Sequence, residues 1–256
     1  MPSKSRARYL ILILPFVQFA CSPLTAQDAI QAFHKMQGAL GGADKIAAVR
    51  DFEQIVRTEA WDQNGKFAGT AYKRVRFIRP SYLRIDQTGS AETYAVYFDG
   101  RSGWEVLADG KVATLAGSEL RLVRNYLDSL NVIFWLADRD PKKVITCPGP
   151  NQVLVGRKGD NSGTIEVRLD PMSLLPESQT ATSHSDANHP VREELRFEKW
   201  QVSDGVKFPR HLFSFHEGRK TEEGTVEYVL LNRGIKVSDL AVKPTEVRVK
   251  PVLAQP

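Results

Sequence analysis

The chain has 256 residues, 42% of them hydrophobic, and a formal net charge of +5. Three of its cations, Lys4, Arg6 and Arg8, lie in residues 1–26, and the remaining chain has 32 of the 35 basic side chains against 30 acidic ones. A balance this near neutral gives no electrostatic reason to expect nucleic-acid binding. The length is sufficient for one domain with one core.

Residues 1–26 have the pattern of an export signal. Their cations precede a mostly apolar stretch from Tyr9 to Ala20, which is shorter than the about 20 residues of a membrane-spanning helix. Leu24-Thr25-Ala26 ends the segment with a small residue, as cleavage sites commonly do. We therefore expect cleavage after Ala26 and a periplasmic or secreted protein.

The two cysteines, Cys21 and Cys147, bear on anchoring and on stability. Cys21 follows the apolar stretch, where lipidation would produce an outer-membrane lipoprotein. Gln18 and Phe19 fit such a site poorly, so release in soluble form is favoured. Without residues 1–26, Cys147 has no second cysteine for an intramolecular disulfide, and stability must come from packing.

After the signal, hydrophobic residues recur three or four apart from Asp28 to Arg50, which predicts helices. Glycines near residue 40 interrupt the pattern. We expect one helix over Asp28–Ala39, a glycine turn, and a shorter helix over Ala43–Val49.

From Phe52 onward the hydrophobic period changes to two, as in the stretch Thr93–Phe98. This period is typical of strands with one buried face and one solvent-exposed face. Dipeptides that accept the positive φ of tight hairpins separate the strands: Asn64-Gly65, Asp99-Gly100, Asp109-Gly110, Asp204-Gly205 and Glu217-Gly218. Consecutive strands should therefore pair antiparallel, and a sheet of about ten strands must curl to protect its apolar face.

A second helical stretch runs from Ser118 to Asp138, between two blocks of strands. Ser118 is a candidate N-cap, and Pro141 ends the pattern. This position makes the stretch a natural cover for the concave face of the sheet. The polar stretch Thr180–Pro190 predicts a mobile loop, and the tail 245–256 predicts disorder.

These elements predict a single domain over residues 27–244. Its fold class is mainly β (α+β): a curled antiparallel sheet, or half-barrel, of about ten strands with helices covering the concave face.

No motif predicts catalysis. The chain has no Gly-x-Ser-x-Gly elbow, phosphate loop, dinucleotide fingerprint or His-Glu-x-x-His motif. His184, Asp186 and His189 occupy the most polar stretch of the chain, where a metal site would lack rigid support. Cys147 has no histidine near it in sequence. We therefore predict no catalytic residue, no metal and no cofactor, while an enzyme assembled from distant residues, such as a hydrolase, stays an alternative.

Four segments carry a recognisable pattern. Gly69–Asp86 contains a strand that reaches the corner Arg79-Pro80 and a strand that leaves it. Val96–Gly100 ends in Asp-Gly and is followed by Gly103-Trp104, and the later segments are Asp204–Pro209 and Asn232–Pro244. Together they resemble the periplasmic lipoprotein carriers, the LolA/LolB-like family of outer-membrane lipoprotein sorting. The resemblance runs over most of the chain after residue 26.

The resemblance implies a curled sheet around an apolar cavity for acyl chains, closed by a helical lid. By its position, Arg79 matches the family's arginine that helps hold the lid closed through hydrogen bonds to backbone carbonyls. The expected cavity-lining residues are Phe77, Tyr94, Val96, Phe98 and Trp104. The expected underside of the lid comprises Leu120, Val123, Leu127, Leu130 and Phe134. An ordinary packed core would use the same apolar residues, with Arg79 as a solvated corner cation.

The leading interpretation is an exported, monomeric protein that binds lipid or an acylated protein, by resemblance a carrier in outer-membrane lipoprotein sorting. The chain is longer than the typical carrier, and Thr180–Pro190 has no counterpart in the family. One alternative is an envelope module with a packed core that binds a partner protein through strand edges or loops. The second is the hydrolase.

Overall fold

The computed structural model describes residues 26–90, 93–106, 109–186 and 189–243, which form a mainly β structure. Within these residues, 13 strands pair into one sheet whose neighbours are all antiparallel. The sheet does not close into a barrel, because its first and last strands in space do not pair with each other. The predicted fold class is confirmed, with more strands than expected.

The strands are β1 Asp51–Trp61, β2 Phe67–Ile78, β3 Tyr82–Gly89, β4 Tyr94–Phe98, β5 Gly103–Val106, β6 Val112–Thr114, β7 Lys143–Gly149, β8 Gln152–Arg157, β9 Asp160–Leu169, β10 Pro176–Asp186, β11 His189–Ser203, β12 Val206–His216 and β13 Arg219–Leu231. The helices are α1 Ala26–Ala39, α2 Ala43–Ala47, α3 Gly117–Ser129, α4 Asn131–Phe134 and α5 Val237–Ala241, with a 3-10 helix at Ala137–Arg139. In the described part of the chain, no helix is long and apolar enough to span a membrane.

The chain enters the sheet at its middle. Strand β1 lies between β2 and β13, and β2 to β6 run outward to one edge. The segment with α3, α4 and the 3-10 helix then crosses to the other edge, where β7 begins, and β8 to β13 return to the middle. This crossing brings the helices over one face of the sheet.

The two faces of the sheet have different neighbours. On the face covered by α1, α3 and α4, one core unites buried residues of β3 and β4 with buried residues of β8 and β9. Because these strands lie in opposite halves of the sheet, the sheet must curve around the helices, and we call this face concave. On the convex face, a smaller cluster packs against Leu240 of α5.

The five dipeptides predicted as hairpin turns all connect consecutive strands. In two of them both residues have positive φ: 46° and 79° at Asp204-Gly205, and 51° and 76° at Glu217-Gly218. This conformation matches the twist of the paired strands and is the reason that Gly is favoured at the second position.

The helical stretch over the concave face is divided, whereas the sequence predicted one run from Ser118 to Asp138. Leu130 has an extended backbone, with φ −60° and ψ 127°, between α3 and α4. The predicted N-cap is also wrong, because α3 starts at Gly117 and Ala116 occupies the capping position. Ser118 is already inside the first turn, and its hydroxyl donates to Glu119 Oε1 at 2.9 Å.

Residues 180–186 and 189–190 of the predicted loop Thr180–Pro190 form strand instead. Strand β10 continues to Asp186, β11 starts at His189, and Thr180 lies opposite Glu194 in their ladder. The threonines in this stretch favour extended backbone, so its polarity was compatible with strand as well as with a loop. Residues 1–25 and 244–256, with the predicted export signal, Cys21 and the tail, lie outside the described residues.

Candidate functional site

Residues 117–134, which we call the cover segment, present an apolar stripe to the concave face. Val123, Leu127, Leu130 and Phe134 are buried in the main core, and Leu120 is half-buried against it. These are the five residues predicted for the underside of a lid. On the outer side of α3, Leu122 is 57% exposed.

Four of the five predicted cavity-lining residues lie below the cover segment. Phe77, Val96 and Phe98 are buried in the main core, and Tyr94 is half-buried against it. They alternate along β2 and β4 with residues of the convex face. The sheet thus offers an apolar surface directly beneath α3 and α4.

The prediction that Trp104 lines the same surface is wrong. Trp104 is paired with Tyr97 across β4 and β5, and the two rings are 5.6 Å apart. Because Tyr97 alternates with Val96 and Phe98, Trp104 points to the convex face, where it packs with Leu240. The guanidinium of Arg84 lies 5.4 Å from the centre of the Trp104 ring.

Side chains of the helices fill the concave side. Phe33 and Met36 of α1, and Leu40 directly after it, are completely buried. Trp135, which follows α4, packs its ring 5.5 Å from that of Phe208 on β12. An apolar guest in the space that these described side chains occupy would have to displace them.

Arg79 connects the corner after β2 to two helical elements. Its Nε donates to the carbonyl of Val49 at 2.7 Å, and its Nη2 donates to the carbonyls of Ile46 at 3.3 Å and Val132 at 2.6 Å. Val132 belongs to the cover segment, and Ile46 belongs to α2. Burial lowers the pKa of Arg79 first, and the neighbouring cation Arg139 lowers it further.

Gln37 makes a second connection, which the sequence reasoning missed. It lies on the inner side of α1, is 2% exposed, and donates from Nε2 to the carbonyl of Trp135 and to Asp138 Oδ1, each at 2.8 Å. Nearby, Arg139 donates to Asp44 at 3.0 Å. A glutamine inside the apolar stripe of α1 was the available signal, since a buried amide requires partners.

A cleft of about 330 Å³ opens beside Arg79, where α2, α4, the 3-10 helix and β7 meet. Its apolar lining residues are Ala47, Ile133, Phe134, Leu136 and Ala137. Its charged lining residues are Arg79, Asp128, Arg139, Asp140 and Lys143. The volume is at the lower end of the range for ligand sites.

A polar cluster lies beneath α3. Lys73 of β2 forms an ion pair with Glu222 of β13 at 3.2 Å, close to Tyr94 and Tyr126. Burial by itself would lower the pKa of Lys73, but Glu222, Tyr94 and Tyr126 raise it above the ordinary value. Burial raises the pKa of Tyr126 to about 12, with Lys73 opposing and Tyr94 and Glu222 adding to the shift.

Among the described groups with potential for catalysis, one His–Asp pair is present: His34 Nε2 lies 3.3 Å from Asp138 Oδ2, and the His34 side chain is 54% exposed. His211 and His216 lie five residues apart on β12, so they point to opposite faces. Cys147 is buried, and its Sγ lies 2.9 Å from the carbonyl of Gly149. The side chains of His184, Asp186 and His189 lie outside the described ones. In the ranges that the structure describes, no group of three or more His, Cys, Asp and Glu residues is arranged to hold a metal ion.

Several solved structures share the fold of this chain, although no protein-family model and no curated protein sequence matches it. An outer membrane lipoprotein-sorting protein domain from Vibrio parahaemolyticus has a TM-score of 0.54 and 12% identity over 84% of this chain and 97% of that one. A DUF1329 family protein from Desulfovibrio piger has a TM-score of 0.57 and 12% identity over 83% and 97% of the two chains. A LolA superfamily protein from Nitrosomonas europaea has a TM-score of 0.54 and 11% identity over 80% and 96%. The chain therefore has the fold of the LolA superfamily and of outer membrane lipoprotein-sorting domains.

Proposed function

We propose that this protein is an exported binding protein that takes an acyl chain, or a ligand of similar apolar character, between the cover segment and the concave face. The observation that carries the proposal is the construction of the cover segment. Its apolar stripe packs on an open, curved sheet, and polar bonds from Arg79 and Gln37 hold its end and the residues that follow it. A cover of this kind can be exchanged for an apolar guest.

The energetics of such an exchange are balanced. Each methylene moved from water into an apolar site gains about 0.8 kcal/mol, so one acyl chain can compensate for the apolar contacts that the cover segment gives up. The protein would then alternate between a closed form, in which its own side chains fill the space, and an open form that holds the ligand. Affinity depends on how much the closed form is favoured.

Arg79 is the proposed latch of this cover. It bonds to α2 and to the cover segment at once, so opening must break its bond to Val132 while the bond to Val49 can persist. Hydrogen bonds from a charged donor are worth about 1.5–3 kcal/mol. A latch of that strength would keep the empty protein closed and still permit opening.

The proposed location is the periplasm or the secreted space, after removal of residues 1–26. The proposed cargo is a lipid or the acylated end of a lipoprotein, which fits the description of the Vibrio parahaemolyticus neighbour as an outer membrane lipoprotein-sorting domain. Binding without a reactive group is sufficient for such a role, so we propose a carrier and not an enzyme.

The proposal is tested with the mature chain purified from an expression host. Native mass spectrometry should detect copurifying lipid, and laurate added to delipidated protein should bind with 1:1 stoichiometry. If no lipid copurifies and laurate does not bind below its micellar concentration, the proposed function is wrong.

A second candidate is an envelope module that binds another protein. The filled concave side favours it, because a packed core needs no guest. The two strands at the open edges of the sheet, β6 and β7, would be the surfaces for such a partner. Protein capture by a chain that binds no lipid would favour this candidate.

A further inference from the structure

The cleft beside Arg79 is lined by both apolar residues and an unequal set of charges. Arg79, Arg139 and Lys143 line it together with Asp128 and Asp140, so cations outnumber acids. The apolar residues Ile133, Phe134 and Leu136 belong to α4 and the residues directly after it. A cleft with both kinds of lining suits a molecule with a polar head and an apolar tail.

The cations of the cleft differ in how their charge is compensated. Lys143 Nζ lies 3.6 Å from Asp128 Oδ2, and Arg139 Nη2 lies 3.0 Å from Asp44 Oδ1. Arg79, in contrast, donates to carbonyl oxygens, and within the described part of the chain no carboxylate forms a salt bridge with it. Its half-buried charge is therefore balanced only by neutral dipoles.

The surroundings of Arg79 further disfavour its uncompensated positive charge. Burial and the proximity of Arg139 both lower the pKa of Arg79, which means that both disfavour its charged form. An anion placed between Arg79 and Arg139 would relieve the repulsion between the two cations and replace neutral acceptors with a charged one.

We infer that the cleft binds the single anionic headgroup of an amphiphile, a carboxylate or a phosphate, with Arg79 and Arg139 as its partners and with the tail along Ile133, Phe134 and Leu136. This inference rests on the proposed function and narrows it from apolar ligands in general to anionic amphiphiles.

The position of the headgroup has a consequence for the cover segment. The guanidinium that would donate to the anion also bonds to Val132 and Ile46 through Nη2. Hydrogen bonds to an ionised acceptor are stronger than those to a carbonyl, so a headgroup that draws the guanidinium toward itself weakens the hold on α4. The ligand that requires the open form would thus help to release the cover segment.

The test compares amphiphiles with one tail and different heads: laurate and dodecyl phosphate are anionic, and monolaurin is neutral. Isothermal titration of the mature chain should give affinities for the two anions that are roughly tenfold higher than for monolaurin. Acetate and inorganic phosphate, which lack the tail, should bind far more weakly than the amphiphiles.

The variant for this test is Arg139→Gln, because Arg139 is 46% exposed and its replacement leaves the bonds of Arg79 in place. It should lose most of the preference for laurate over monolaurin and keep the affinity for monolaurin. Arg168→Gln is the matched control, since Arg168 lies on β9, is 56% exposed and pairs with Glu166 away from the cleft.

The outcomes separate this inference from the proposed function. Equal binding of laurate and monolaurin, or an unchanged preference in Arg139→Gln, would overturn the headgroup site and leave the lipid-binding proposal standing. Binding of inorganic phosphate as tight as that of dodecyl phosphate would overturn the amphiphile as the ligand. Absence of binding by all three amphiphiles would remove the proposed function itself.

Discussion

Arg79 Nη2 donates a 2.6 Å hydrogen bond to the carbonyl oxygen of Val132, and this bond ties the corner between β2 and β3 to the helix that covers the concave face. The two residues are 53 positions apart in sequence. Because Arg79 also bonds to Val49 and Ile46, one side chain fixes the cover segment relative to both the sheet and α2.

Replacement of this arginine should loosen the cover segment before it affects the sheet. In Arg79→Gln the charged bonds are lost, and we expect a loss of about 2 kcal/mol in the free energy of unfolding. Hydrogen–deuterium exchange should accelerate in residues 131–136 more than in strands β8 and β9. Arg168→Gln should change neither quantity, and equal exchange of α4 in the two variants would contradict the latch.

The two faces of α3 should respond differently to the same substitution. Leu127 is 9% exposed and packs on the sheet, whereas Leu122 is 57% exposed. Leu127→Ser removes buried apolar surface and places a hydroxyl there, so urea unfolding should report a loss of about 3 kcal/mol. Leu122→Ser should stay within about 0.5 kcal/mol of the parent. A comparable loss in both would mean that α3 does not present its stripe to the core.

Tryptophan fluorescence can distinguish the two faces of the sheet during ligand binding. Among the four tryptophans, Trp135 packs on the concave side and Trp104 on the convex side. A variant that retains only Trp135, with the others changed to Phe, should shift its emission when laurate binds. A variant that retains only Trp104 should show no shift; the opposite pattern would place the ligand on the convex face.

The free energy of unfolding should decline at alkaline pH because partly buried tyrosines on both faces of the sheet have raised pKa values. Burial raises the pKa of Tyr126 to about 12, and burial followed by Glu53 raises that of Tyr228 to about 12. An unfolded tyrosine ionises near pH 10, so the contribution of these groups to stability is complete below about pH 10 and is lost as the pH approaches 12. The pKa of Lys73 is also raised, so its contribution to stability is likewise lost as the pH rises.

Thermal unfolding from neutral pH to about pH 12 measures this effect. The parent protein should lose stability over the upper part of the range, and Tyr126→Phe should lose less between about pH 10 and 12, because one of the titrating groups is gone. Identical pH profiles for the two proteins would contradict the packing of Tyr126, a residue of α3, against the core.

The sequence predicted the elements and the overall architecture because these depend on local patterns. The period of two, the turn dipeptides and the helical stripe at residues 118–138 all report on neighbours within a few positions. The same patterns could not place Trp104, because alternation separates two faces without identifying which one becomes concave. Nor could these patterns predict the secondary structure of Thr180–Pro190, because a polar sequence is compatible with both a loop and solvent-exposed strands.

The candidate site was only partly accessible from the sequence for a related reason. The stripe from Leu120 to Phe134 is local, and its contact with the core was predicted. The pairs Gln37–Asp138 and Lys73–Glu222 join residues 101 and 149 positions apart, and no pattern in a single sequence connects such positions. Arg79 was identified through resemblance, while its bond partners came only from the structure.

Amide hydrogen exchange of the mature chain with and without saturating laurate tests the central claim most directly. If the ligand takes the place of the cover segment's side chains, residues 117–134 should exchange faster in the complex while β2 to β4 keep their protection. Exchange that is the same in every segment with and without laurate would contradict the claim, because the concave side would then hold no place for a guest.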